Sequence, residues 1–126
     1  MDKSPSNPAR IAILGNFAHI LVYEAMLKRN YDVVSTIIYQ PATFPDNILA
    51  LCDLNPDLIL IGQFVDLDTA EKIAQQILSI IPDVPIVASI VAFSDRSLPY
   101  IKDYICMPII PKTFPEFIQR ALENTP

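Results

Sequence analysis

Glycine is almost absent: Gly15 and Gly62 are the only two in 126 residues. Phosphate-cradling turns need clustered glycines so that backbone N–H groups can approach the anion, and neither a dinucleotide fingerprint nor a P-loop can be assembled from these two. Tryptophan is missing, and histidine occurs once, as His19. A lone histidine with no evident partner leaves no Ser-His-Asp or Cys-His set, which argues against an enzyme. Cysteine occurs twice, as Cys52 and Cys106, without a CxxC pair or a Cys/His cluster at metal-site spacing. Both are expected to be reduced, buried thiols, and neither a metal nor a cofactor is expected. Basic residues are few, nine Lys and Arg against fourteen Asp and Glu, for a net charge of −5. That balance gives no cationic footprint for nucleic acid and repels anionic membranes. No apolar run approaches the roughly 20 residues of a membrane-spanning helix. The polar stretch Met1-Asp2-Lys3-Ser4-Pro5-Ser6-Asn7-Pro8 lacks the apolar centre of a secretion signal. A cytoplasmic location is expected, without nucleic acid or membrane as partner.

What is present is material for a core. Apolar residues make up 52% of the chain and charged residues 18%, which argues for packing rather than disorder. A chain of this length forms one domain and buries about two thirds of its unfolded surface. That domain is expected over 10–124, preceded by a flexible segment over 1–9.

Short apolar runs bounded by turn residues place strands near 10–14, 33–38, 57–62, 84–91 and 103–106. The third, Pro56-Asp57-Leu58-Ile59-Leu60-Ile61-Gly62, and the fourth, Val84 to Val91, are nearly continuous in apolar residues, as strands covered on both faces are. Helical spacing appears between them. A first helix over 18–29 carries Ile20, Leu21, Ala25, Met26 and Leu27, with Lys28 and Arg29 in its last turn and Asn30 as its stop. A second, from Pro45-Asp46 to Leu54, has Ile48, Leu49, Leu51 and Cys52 to bury. A third, over 70–81, is offered carboxylate or hydroxyl caps by Asp66, Asp68 and Thr69 and carries the stripe Ile73, Ile77 and Ile80. The stretch over 94–102 is broken by Pro99 and holds at most a turn or two. The last helix, from Phe114 to about Asn124, takes Pro115 in its first turn and buries Phe117, Ile118, Ala121 and Leu122. Strand and helix alternating in this way predict a parallel sheet sandwiched between helices.

With Asn55-Pro56-Asp57-Leu58-Ile59-Leu60 at the third strand and Asp103-Tyr104-Ile105-Cys106-Met107-Pro108 at the fifth, nearly the whole chain resembles the receiver domain of bacterial response regulators. The resemblance implies an α/β, flavodoxin-like (βα)5 three-layer sandwich with a parallel sheet of order 2-1-3-4-5. It also implies an active cleft at the strand ends, and every position of that cleft is altered. The acidic pair that holds magnesium falls on Gly15 and Asn16, and the phosphoacceptor aspartate on Gly62. The hydroxyl residue ending the fourth strand falls on Ile90, or on Ser89 with a slip of one, and the lysine before the proline on Met107. Magnesium needs hard oxygen ligands with one or two carboxylates, and phosphoryl transfer needs a nucleophile beside positive charge. None of these residues supplies either, so the resemblance is to a pseudo-receiver.

Binding is what remains. The output face that the resemblance implies carries Phe93, Leu98, Tyr100, Ile101, Tyr104, Ile109, Ile110 and Phe114, an aromatic-rich set suited to an interface. The expectation is a non-enzymatic signalling or adaptor domain working by phosphorylation-independent contact with a protein, whether a histidine kinase, a regulator or another domain of the same protein, with a homodimer as a further partner. The alternative is a regulatory domain that senses a neutral or apolar small molecule in the cleft at Gly15, Asn16, Gly62 and Met107. A cobalamin domain has a similar alternating fold, but Asn16-Phe17-Ala18-His19 breaks its Asp-x-His-x-x-Gly spacing.

Overall fold

The computed structural model describes residues 8–15, 17–38, 44–62, 67–90, 100–106 and 112–123. In chain order the elements are β1 (Arg10–Gly15), α1 (Phe17–Leu27), β2 (Asp32–Ile38), α2 (Phe44–Asp53), β3 (Leu58–Ile61), α3 (Leu67–Leu78), β4 (Ile86–Ile90), β5 (Asp103–Cys106) and α4 (Phe114–Glu123). The strands pair in parallel in the order β2-β1-β3-β4-β5, the order that the receiver resemblance implies. The broken helix expected over 94–102 falls mainly outside the described residues.

The inner strands are apolar throughout because both of their faces are covered. Ile11, Ile13, Leu58, Leu60 and Val87 face one layer, where they meet Tyr23 and Leu27 of α1 and Phe114, Phe117 and Ile118 of α4. The intervening Ala12, Leu14, Ile59, Ile61, Ile86 and Ala88 face the other, against Ile48 and Leu51 of α2 and Ala70, Ile73, Ala74 and Ile77 of α3. At roughly 1.5–3 kcal/mol for each fully buried aliphatic side chain, these two layers supply most of the driving force for the fold. Ala9, within the segment expected to be flexible, is itself buried and accepts a hydrogen bond from Asp32 N–H at 2.9 Å.

The Pro-Asp-Leu stretch before β3 has a structural task. The Asp57 carboxylate accepts the Arg10 N–H at 2.8 Å, and Asp57 N–H donates to the Arg10 carbonyl at 2.7 Å. The Arg10 guanidinium then reaches the Leu54 carbonyl at 2.8 Å, near the end of α2. Register between β1 and β3 is thereby set at the end of the sheet opposite the cleft. Asn55 makes the link from α2 possible by adopting a left-handed backbone with φ of 52°, its N–H bonded to the Cys52 carbonyl at 3.0 Å.

Several expected faces are corrected. Leu21, placed inward by its spacing, is 52% exposed, because α1 turns Tyr23 and Leu27 to the sheet and Leu21 lies about 200° round from Tyr23. Leu49 is 56% exposed, since Ile48 and Leu51 take the inward side of α2. Ile80 is also exposed: α3 ends at Leu78, where the Ser79 hydroxyl donates to the Gln76 carbonyl at 2.6 Å and competes with the helical ladder. Lys28 and Arg29 follow α1 rather than forming its last turn. Cys52 is a free thiol but only half-buried, its pKa pushed up by burial and then by Asp53.

Two expected outcomes test this packing. Asn55→Gly should keep or raise stability in urea unfolding, whereas Asn55→Val should cost roughly 1–2 kcal/mol, because a β-branched residue is strained at positive φ. Tyr31, whose hydroxyl donates to Gln119 Oε1 at 3.1 Å, has its pKa raised above 10.0 by burial and then by the charge of Glu123. The folded state therefore holds this proton more tightly than the unfolded chain does. The resulting stability is whole below pH 10.0 and is lost as pH rises through the folded-state value. Urea midpoints taken on either side of that range should fall more steeply for the wild type than for Tyr31→Phe.

Candidate functional site

In an open sheet of this order, the crevice lies at the carboxyl ends of the strands, where β1 and β3 diverge towards their helices. Leu14 pairs with Ile61, and Ile61 with Ala88. One step further along the same register stand Gly15, Gly62 and Ser89, the last paired with Ile105 of β5. By alternation this row faces α1, as Ile13, Leu60 and Val87 do.

The two glycines answer to space rather than to backbone conformation, since neither has a positive φ. A Cβ on Gly15 would stand 3.2 Å from the Gly62 Cα and 3.4 Å from its nitrogen. A Cβ on Gly62 would stand 2.8 Å from Tyr23 Cε2 and 3.4 Å from the Leu14 carbonyl oxygen. β1 and β3 therefore meet backbone to backbone at this end, and a tyrosine ring lies against Gly62. The Gly62 N–H donates to the Leu14 carbonyl, which extends the ladder to the edge.

Tyr23 is only 1% exposed and is held at both ends of its ring. Phe114 packs beside it with centroids 5.6 Å apart and planes tilted by 45°, a favourable aromatic geometry. Its hydroxyl shares a buried 2.6 Å hydrogen bond with Ser89 Oγ. Tyrosines aside, Ser89 is the single buried polar or charged residue among the described residues, so this bond satisfies a group that would otherwise be costly to bury. The side chain thus spans from above β3 to β4, joining α1 to two strand ends.

The described residues of this row offer a divalent cation no carboxylate. Gly15 and Gly62 bring no side-chain oxygen, the Ser89 hydroxyl is engaged by Tyr23, and the ring stands where a side chain at position 62 would project. No group of His, Cys, Asp or Glu able to hold a metal occurs among the described residues. No phosphoryl acceptor or compensating cation stands in the described part of the row.

Of the residues singled out by sequence, Gly15 and Gly62 are brought into contact, and Ile90 ends β4 opposite Cys106. Asn16 and Met107 lie outside the described residues. On the expected output face Tyr100 is 37% exposed and Tyr104 lies in β5 opposite Ala88. Ile101 and Phe114 are corrected to core: both are buried, Ile101 in the α2 and α3 layer and Phe114 in the α1 and α4 layer, where chain entry into β5 and α4 needs apolar anchors. Phe93, Leu98, Ile109 and Ile110 lie outside the described residues. Tyr23 was not singled out by the spacing of α1. Its signal was indirect: two glycines ending neighbouring buried strands leave a void, and a large side chain from the intervening helix must fill it.

No family model matches the chain, and no curated protein does. Solved structures do. The signal receiver domain of a modulated diguanylate cyclase from Desulfovibrio desulfuricans superposes with a TM-score of 0.72 at 15% identity, covering 94% of this chain and 97% of that one. A CheY-like response regulator receiver domain protein from Methanospirillum hungatei gives 0.70 at 16% identity, with 94% and 97% covered. A putative pilus assembly-related protein from Burkholderia pseudomallei gives 0.73 at 13% identity, with 91% and 90% covered. Element order, sheet order and these superpositions agree: the chain has the fold of the response-regulator receiver domains.

Proposed function

We propose that this chain is a pseudo-receiver, a non-enzymatic signalling or adaptor domain that works through protein contact without being phosphorylated. One observation carries the reading: the position that the receiver resemblance assigns to the acceptor carboxylate is Gly62, and the Tyr23 ring closes over it. A neutral ligand in the same cleft is the less favoured reading, because that ring already takes the space above Gly62.

Contact then falls to the surface. α4 turns Glu116, Gln119, Arg120 and Glu123 to solvent, whereas α1 exposes Leu21, Val22 and Ala25. Apolar side chains left exposed on a helix suit a protein partner, and Tyr100 adds an aromatic elsewhere. The partner would be a kinase, a regulator or another domain of a larger protein. The Desulfovibrio neighbour, a domain of a diguanylate cyclase, supports the last of these. No helix among the described residues is long and apolar enough to cross a membrane.

The test is to add magnesium with beryllofluoride, or acetyl phosphate, and follow the backbone amides of Gly15, Gly62, Ser89 and Ile90. Unchanged resonances are expected. Saturable shifts clustered at those residues would overturn the pseudo-receiver reading and require an acceptor elsewhere at the strand ends.

A further inference from the structure

We propose that Tyr23 is a resident occupant of the strand-end cleft, a latch that takes the place of a ligand and holds the domain in one arrangement. This rests on the pseudo-receiver reading and adds how the cleft is kept shut. Three independent features of the geometry support it. The ring lies so close to Gly62 that a single methyl there would stand 2.8 Å from Cε2. The hydroxyl reaches across to Ser89 on the neighbouring strand at 2.6 Å, away from water. The other edge of the ring is backed by Phe114, itself fully buried, so the side chain is braced by α4 as well.

An acidic side chain at position 62 and the tyrosine ring are therefore alternatives in packing. A side chain at position 62 and the ring of Tyr23 compete for the same volume, and close-packed interiors do not hold both. Restoring a carboxylate at Gly62 alone would produce a clash rather than a metal site. The bond to Ser89 has a second consequence. Any displacement of β4 relative to α1 must break a buried hydrogen bond and leave two hydroxyls without each other, so the strand end is fixed. The domain then presents its outer faces in a single state to whatever it meets.

The experiment is a double-mutant cycle at Tyr23 and Gly62, read as thermal midpoints, with amide hydrogen exchange as a second readout. Gly62→Ala should lower the midpoint by roughly 5–10 °C in the wild-type background. In the Tyr23→Leu background the same substitution should cost little, because the ring that it strikes is gone. If Gly62→Ala alone does not fold, folding should return when Tyr23→Leu is added. Tyr23→Phe, which keeps the ring and removes the hydroxyl, should speed amide exchange at Ala88 and Ser89 at least about tenfold. Equal costs of Gly62→Ala in both backgrounds, or unchanged exchange in Tyr23→Phe, would overturn the latch. Those results with a wild type silent to beryllofluoride would remove the latch alone, whereas a wild type that responds to beryllofluoride removes both the latch and the reading beneath it.

Discussion

Burial on both faces of β1, β3 and β4 is the constraint from which the rest follows. Side chains alternate strictly along a strand, so once Leu14 and Ile61 are committed to the α2 and α3 layer, Gly15 and Gly62 must face α1. The end of the row is then a question of volume. Two strands that meet with no side chains between them leave a gap beneath the helix, and an interior packed like an organic crystal does not tolerate it. Tyr23, projecting from α1 over that gap, is the answer this chain uses.

A polar interaction completes the packing. Ser89 faces the same layer by the same alternation, and its hydroxyl would be stranded in apolar surroundings without the phenol beside it. A tyrosine meets both demands at once, filling space with its ring and satisfying Ser89 with its oxygen. Neither phenylalanine nor a smaller polar residue meets both. The chemistry of the cleft is thus neutral throughout its described part, built from backbone, an aromatic ring and one hydroxyl pair. These described residues offer a metal no carboxylate and a phosphoryl group no carboxylate acceptor.

The same fold leaves its two helices on this face with different surfaces. α4 is sharply divided, with Phe114, Phe117, Ile118 and Ala121 inward and charged or amide side chains outward. α1 carries apolar residues on its outward side as well, so burying Tyr23 and Leu27 leaves Leu21, Val22 and Ala25 exposed.

Fold and cleft were legible in the sequence to different depths. The continuous run Leu58-Ile59-Leu60-Ile61 reads as a strand buried on both faces, and it is one, because such a run has no polar side to turn to water. Alternation of strands with helices predicts a parallel sheet between helices, and the resemblance to receiver domains implies the order 2-1-3-4-5 that the sheet has. The receiver resemblance points to Gly15 and Gly62 at the strand ends, and the structure brings the two into contact. The inward face of α1 could not be named, because apolar residues on both sides of the helix blur its periodicity: Leu21, inward by spacing, is exposed, and Tyr23 is buried. Nor could the spacing of Ile80 show that Ser79 would end α3 early. The sequence by itself determined the strands and the parallel sheet they form, which follow from local patterns of apolar and turn residues. Only the tertiary structure decided what fills the cleft: Tyr23 meets Gly62 and Ser89 across the fold, its bond to Ser89 spanning 66 positions of chain, and volume matched over that separation leaves no local pattern.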